Sequence, residues 1–234
     1  IGAYYNDGNG DKSGQVRVYR NIDSTWTQIG SDLDGEAIGD QSGYSVSLSA
    51  DGSTVAIGAR SNDGNGSVAG HVRVYRNVDS VWTQVGIDID GENANDLSGG
   101  AVSLSADGST LAIGATENDG NGFNSGHVRI YRNINGIWTQ FATDIDGEQG
   151  GLNSSQNRGD GFGNSVSLNA DGSTVAIGAT YNDGNGNNSG HVRIYKILEH
   201  DLTLEEDFLP LGVDLGGITA GGGENQPLHV TATS

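Results

Sequence analysis

The sequence predicts an all-β protein whose strands form four similar units stacked as a β-propeller, and three observations predict it. The pentapeptide NDGNG recurs at Asn6–Gly10, Asn62–Gly66, Asn118–Gly122 and Asn182–Gly186, at steps of 56, 56 and 64. Trp26, Trp82 and Trp138 keep the same register, as do ADGST at Ala50, Ala106 and Ala170 and VRVY or VRIY at Val16, Val72, Val128 and Val192. No segment holds a helical period over a useful length, and 40 glycines against two prolines call for frequent sharp turns.

Each unit carries four segments with strand chemistry. In YSVSLSA, Val46 and Leu48 alternate with serines; in TVAIGA, Val55 and Ile57 oppose Ala56 and Gly58. In GHVRVYRN, Val72 and Val74 face one way, and His71, Arg73 and Tyr75 the other. The fourth segment, VWTQVGIDI, carries the tryptophan. Four strands in about 56 residues with short links make an antiparallel meander, which has two faces to cover and two edges to manage. Stacking four-stranded blades around an axis does both. A linear β-solenoid is the other way to stack strands, but its repeats are usually shorter.

The composition narrows the function. Thirty acids against eleven bases give a formal charge of −19, which repels a phosphate backbone and argues against nucleic acid as a partner. No apolar run approaches the 18 residues of a membrane span. With no cysteine there are no disulfides, thiolate metal sites or cysteine nucleophiles. The chain opens in mid-pattern at Ile1 and reads as a piece of something longer.

The stretch FGNSVSLNADGSTVAIGAT, Phe162 to Thr180, resembles the FG-GAP repeat of integrin α-subunit propellers and bacterial surface proteins. Phe162-Gly163 stands for the first half of that motif and Gly178-Ala179 for the second, with looser copies at Gly43 and Gly99. The resemblance covers about residues 1–217 and implies an extracellular or cell-surface propeller, bacterial in type. It also implies calcium loops between the first and second strands. Here that link is only ADGST, and Asp51, Asp107 and Asp171 alone cannot supply the six to eight oxygens calcium takes.

Alternate links of a meander emerge at opposite ends, so the tight ADGST turns lie at one end. NDGNG and the acidic links such as DIDGENANDLSG lie at the other, which is the expected working face. NDGNG has the composition of a turn, and also that of the start of a calcium loop. In the acidic link Asp32, Asp34, Glu36 and Asp40 recur as Asp88, Asp90, Glu92 and Asp96, then as Asp144, Asp146, Glu148 and Asp160. So many carboxylates need a counter-charge. Calcium is one account, with these twelve residues as its ligands. An inter-unit ladder to the arginines of R-x-Y-R, Arg17, Arg73, Arg129 and Arg193 among them, is the other.

His71, His127 and His191 share one register and read as structural, as do the repeated Tyr and Trp. The eight-residue insertion that lengthens the last step spells Arg158-Gly159-Asp160, which makes Asn153, Arg158 and Asp160 candidate partner contacts. The organisation expected is propeller repeats over 1–217, then a tail at 218–234 that is a ring-closing strand or the start of an Ig- or cadherin-like module. The function expected is a binding or adhesion module without catalysis, offering its acidic face to a protein or glycan, with calcium as the candidate cofactor. The alternatives are a spacer in a large surface protein and a polysaccharide-active enzyme. The enzyme needs an unrepeated acid pair or histidine, and the spacing of the unrepeated acids in the tail suggests no mechanism.

Overall fold

A computed structural model describes residues 1–151 and 159–198. Among these the structure is strands and turns with no helix, and hence no helix long and apolar enough to cross a membrane. The first repeat contains β1 (Gly2–Ala3), β2 (Gln15–Val16), β3 (Tyr19–Ile22), β4 (Thr25–Gln28) and β5 (Leu33–Asp34). The second contains β6 (Ser45–Leu48), β7 (Thr54–Ala59), β8 (His71–Val78), β9 (Val81–Gln84) and β10 (Ile89–Asp90). The third follows with β11 (Ser98–Leu104), β12 (Thr110–Ala115), β13 (His127–Ile134), β14 (Ile137–Gln140) and β15 (Ile145–Asp146). The fourth has β16 (Phe162–Leu168), β17 (Thr174–Ala179) and β18 (His191–Lys196). The expected end of the propeller segment at 217 and the tail at 218–234 lie outside the described residues.

Every named pair is antiparallel, and the second and third repeats are complete meanders in the order first, second, third, fourth strand. The fourth segment differs from expectation. It is two strands, β9 and β10, which pair with opposite ends of β8. Gly86, at φ 77°, breaks the run between them. The break lifts Asp88 out of the ladder, beside Arg73 on β8.

The sheets stack through apolar seams. Val16, Val18 and Leu33 of the first repeat pack on Val55, Ile57 and Trp82 of the second. Val72 and Val74 of the second pack on Val102, Leu104, Leu111 and Ile113 of the third. Val128 and Ile130 of the third then pack on Phe162, Val175 and Ile177 of the fourth. Each such side chain contributes about 1.5–3 kcal/mol when fully buried, so a seam outweighs any one surface ion pair at about 0–1 kcal/mol. Where a described neighbour is lacking, the equivalent residues lie open: Val192 and Ile194 are exposed, although Val72 and Val128 are wholly buried.

Serines hold the first strands side by side. Ser47 Oγ accepts from Leu104 N at 2.9 Å, and Ser103 Oγ accepts from Leu168 N at 2.9 Å. At the ADGST end, Ala50 N donates to Ala106 O and Ala106 N to Ala170 O, both at 2.8 Å. The first strands therefore line the inside of the stack. The FG-GAP glycines meet at the same seams: a Cβ on Gly58 would strike the carbonyl of Gly99 in the next repeat, and one on Gly114 that of Gly163. Sheets that pass this closely leave no room for a side chain.

Trp82 donates Nε1–H to Ile29 O of the preceding repeat at 2.8 Å, and its indole covers Gly30. Trp26 corrects the reading of every tryptophan as packing. It is 69 % exposed.

Candidate binding site

The pentapeptide is a turn in which each residue has a task. Asn62 Oδ1 accepts from Gly64 N at 2.8 Å, and Asp63 Oδ1 accepts from Val68 N at 2.7 Å. Asn65 reaches across to the acidic link of its own repeat and donates Nδ2 to Gly91 O at 2.8 Å and Glu92 O at 3.1 Å. Gly66, at φ 134°, holds a backbone shape that other residues rarely adopt. The turn reading accounts for the motif; Asp63 is engaged by the backbone of its own loop.

The recurring acids separate into four roles. Asp88 takes both Nε and Nη2 of Arg73, at 2.8 and 2.7 Å, and Gln84 Nε2 at 2.6 Å. Asp144 does the same with Arg129 and Gln140, and Asp32 with Arg17 and Gln28. Burial alone would raise Asp88 and Asp144, yet the bonds from Arg73 and Arg129 hold both below the usual carboxylate range. Glu36, Glu92 and Glu148 pair with Arg73, Arg129 and Arg193 of the next repeat. Asp40, Asp96 and Asp160 are buried, where each accepts from the first Asn of the next pentapeptide and from a backbone N–H of its own loop. Asp34 accepts from Gln15 at 2.7 Å, while Asp34, Asp90 and Asp146 stay exposed.

Two triads that cross repeats do converge. His127 Nδ1 lies 3.7 Å from Asp144 Oδ2 and 3.9 Å from Glu92 Oε2, and His71 stands between Asp88 and Glu36 in the same way. Burial pushes both imidazoles down, against the pull of the nearby carboxylates. These donor sets do not fit calcium. It takes six to eight oxygens, and here two carboxylates share an arginine beside a nitrogen ligand.

The structure also overturns part of the expected partner surface. Asp160 is 3 % exposed and is held by Asn182 at 3.1 Å, so it supports the scaffold and is not offered to a partner. Asn153 and Arg158 lie outside the described residues.

At the NDGNG end, against the first strands, a cavity of about 190 Å³ opens between three consecutive repeats. Arg60, Glu117, Asn124, Asn164 and Tyr181 line it. The Arg60 guanidinium sits 3.7 Å over the Tyr44 ring and donates to Gln41 Oε1 at 3.4 Å. The sequence reading missed this group, because it followed what repeats. The signal was the opposite: two positions that differ from copy to copy inside a nearly invariant stretch.

Comparison with known proteins agrees with this architecture. Residues 153–195 match the FG-GAP repeat, and the described residues are all-β, in stacked antiparallel sheets of the propeller type. No curated protein matches the sequence. Among solved structures, the chain is similar to a periplasmic gluconolactonase of Pseudomonas aeruginosa, at 16% identity and TM-score 0.46 over 77% of this chain and 45% of that one. It is also similar to a putative 6-phosphogluconolactonase of Bacteroides uniformis, at 16% identity and TM-score 0.43 over 79% of this chain and 51% of that one. The chain thus spans about half the length of these two structures. Both are described as lactonases, a finding that stands against the expectation of a module without catalysis.

Proposed function

We propose that the protein is a binding module of the cell exterior or periplasm that meets a protein or glycan partner with its NDGNG face. The observation that carries this reading is the contrast between the two ends. At the ADGST end the hairpins are tied to one another by backbone bonds, and Asp51 and Asp107 are taken up by their own turns. At the NDGNG end Asp34, Asp90 and Asp146 stand exposed on a rigid frame, and the copy-to-copy differences collect. Loops on a stiff scaffold are the usual seat of recognition. The extracytoplasmic location is supported by the FG-GAP repeat, which resembles that of bacterial surface proteins.

A partner drawn to this face is cationic, and salt should weaken its binding. The test is affinity for candidate surface proteins and glycans in rising salt, with the variants Asp90→Asn and Asp146→Asn and with residues 152–158 removed. Weaker binding in the neutralised variants supports the reading, and loss on removal assigns the contact to the segment holding Asn153 and Arg158. Affinity untouched by all three changes would reassign the binding face to the ADGST end.

A further inference from the structure

Each second strand runs into its pentapeptide through the same frame, IGA, then two residues, then NDGNG. Those two residues are Tyr4-Tyr5, Arg60-Ser61, Thr116-Glu117 and Thr180-Tyr181. The frame repeats because the same contacts recur at every seam: Gly58 against Gly99, Asn62 against Asp40. The two intervening positions vary from copy to copy: three tyrosines, an arginine and a glutamate stand beside Ser61, Thr116 and Thr180. Their shared property is location, since Arg60, Glu117 and Tyr181 come from three consecutive repeats to one cavity.

We infer that this cavity binds one ring of a neutral saccharide. The inference rests on the binding reading above and adds to it: the exposed Asp34, Asp90 and Asp146 meet the cationic part of the partner, and this separate cavity takes a neutral terminal sugar. A sugar presents hydroxyls that both donate and accept, together with a C–H face that is apolar. Glu117 only accepts and Arg60 only donates, while Asn124 and Asn164 do both. Bonds to the two charged groups are the strong ones. Tyr181 offers a flat, amphipathic surface. Arg60 is already held in place by Tyr44 and Gln41, so little further ordering is needed on binding. One cation and one anion leave the cavity neutral, whereas an anionic ligand would meet the field of a chain at −19. The volume of about 190 Å³ lies below the roughly 300–1,000 Å³ of drug-sized sites, which suits a single ring at the end of a glycan.

The experiment is saturation-transfer NMR on the full 234-residue chain with glucose, galactose, mannose and N-acetylglucosamine as separate probes. At least one should bind, with an affinity insensitive to salt. Glu117→Ala and Asn164→Ala should each weaken it about ten-fold, the loss of one good hydrogen bond. Asp51→Asn at the opposite end should leave it unchanged. The two cavity variants lie on different repeats, so a folding defect in one leaves the other to decide, with melting curves as the check. No binding of any probe to the wild type overturns the inference, as does wild-type affinity in a folded cavity variant. If the probes fail while a macromolecular partner still depends on Asp90 and Asp146, the ligand class alone falls. If both fail, so does the reading beneath it.

Discussion

Asn118 donates its side-chain amide to Asp96 at 3.0 Å, from one repeat to the preceding one, and both side chains are buried. The same bond links Asn62 to Asp40 and Asn182 to Asp160, each at 3.1 Å. It explains why a turn motif recurs with its first residue unchanged. The asparagine shapes its own loop with Oδ1 and satisfies a buried carboxylate next door with Nδ2.

Asn118→Ala should therefore destabilise the protein by about 1–3 kcal/mol, the cost of a buried polar group left short of a partner. Urea unfolding measures it. Wild-type stability would mean that water takes over the amide's place.

Arg129 spans Asp144 of its own repeat and Glu92 of the preceding one, with 13 % of its side chain exposed. Arg129→Ala should cost about 2–3 kcal/mol, below the ~3–5 kcal/mol of a fully buried pair, because Glu92 remains 40 % exposed. Arg17 pairs with a single carboxylate among the described residues, Asp32, and is 45 % exposed, so Arg17→Ala should cost much less. Equal losses from the two variants would show that the span between repeats adds nothing.

His127 supplies a pH test. Burial, with Arg129 adding to it, lowers the imidazole below its usual value of 6.5, against Asp144, Glu92 and Asp96. The unfolded chain then takes up the proton first. Stability is fully present above pH 6.5 and falls as the pH drops from there toward the lower folded value. His127→Gln should flatten the melting temperature between pH 7 and 5. An unchanged slope in that variant would place the titration elsewhere.

Asp51 works at lower pH. Bonds from Ser49 and then Ser53 bring its carboxyl to about 2, from 3.8. Its contribution is present above about pH 4 and is lost as the pH falls through 2. Asp51→Asn should remove that part of the acid sensitivity, read as a smaller loss of melting temperature between pH 4 and 2. The idea does not survive if the variant keeps the wild-type acid profile.

With arginines and asparagines on the recurring acids, a chelator should leave the melting temperature unchanged. A cation bound at 100 times its dissociation constant would contribute about 2.7 kcal/mol, an easily seen drop on removal. Such a drop, restored by added calcium, would return the acidic loops to a metal.

The strands, turns and period were legible because their causes are local. Alternation in SVSLS, a turn at ADGST and glycine at the close approaches can all be read within a few residues. The split of the fourth strand was not, because Gly86 reads as one more strand residue until Asp88 is seen against Arg73. Asp32, Asp34, Glu36 and Asp40 looked like one cluster because they are neighbours in the chain. In space each faces a different partner, two of them from the next repeat.

The sequence by itself determined the repeating all-β architecture, the ends at which tight turns and acidic links emerge, and the excess of negative charge. Only the tertiary structure decided which acid serves which donor, that Asp160 is buried while Trp26 is open, and that Arg60, Glu117 and Tyr181 share one cavity. The physical reason is distance along the chain. Strand and turn preferences act between residues a few places apart, whereas the seams join residues tens of places apart, and their pairings exist only once the sheets have stacked.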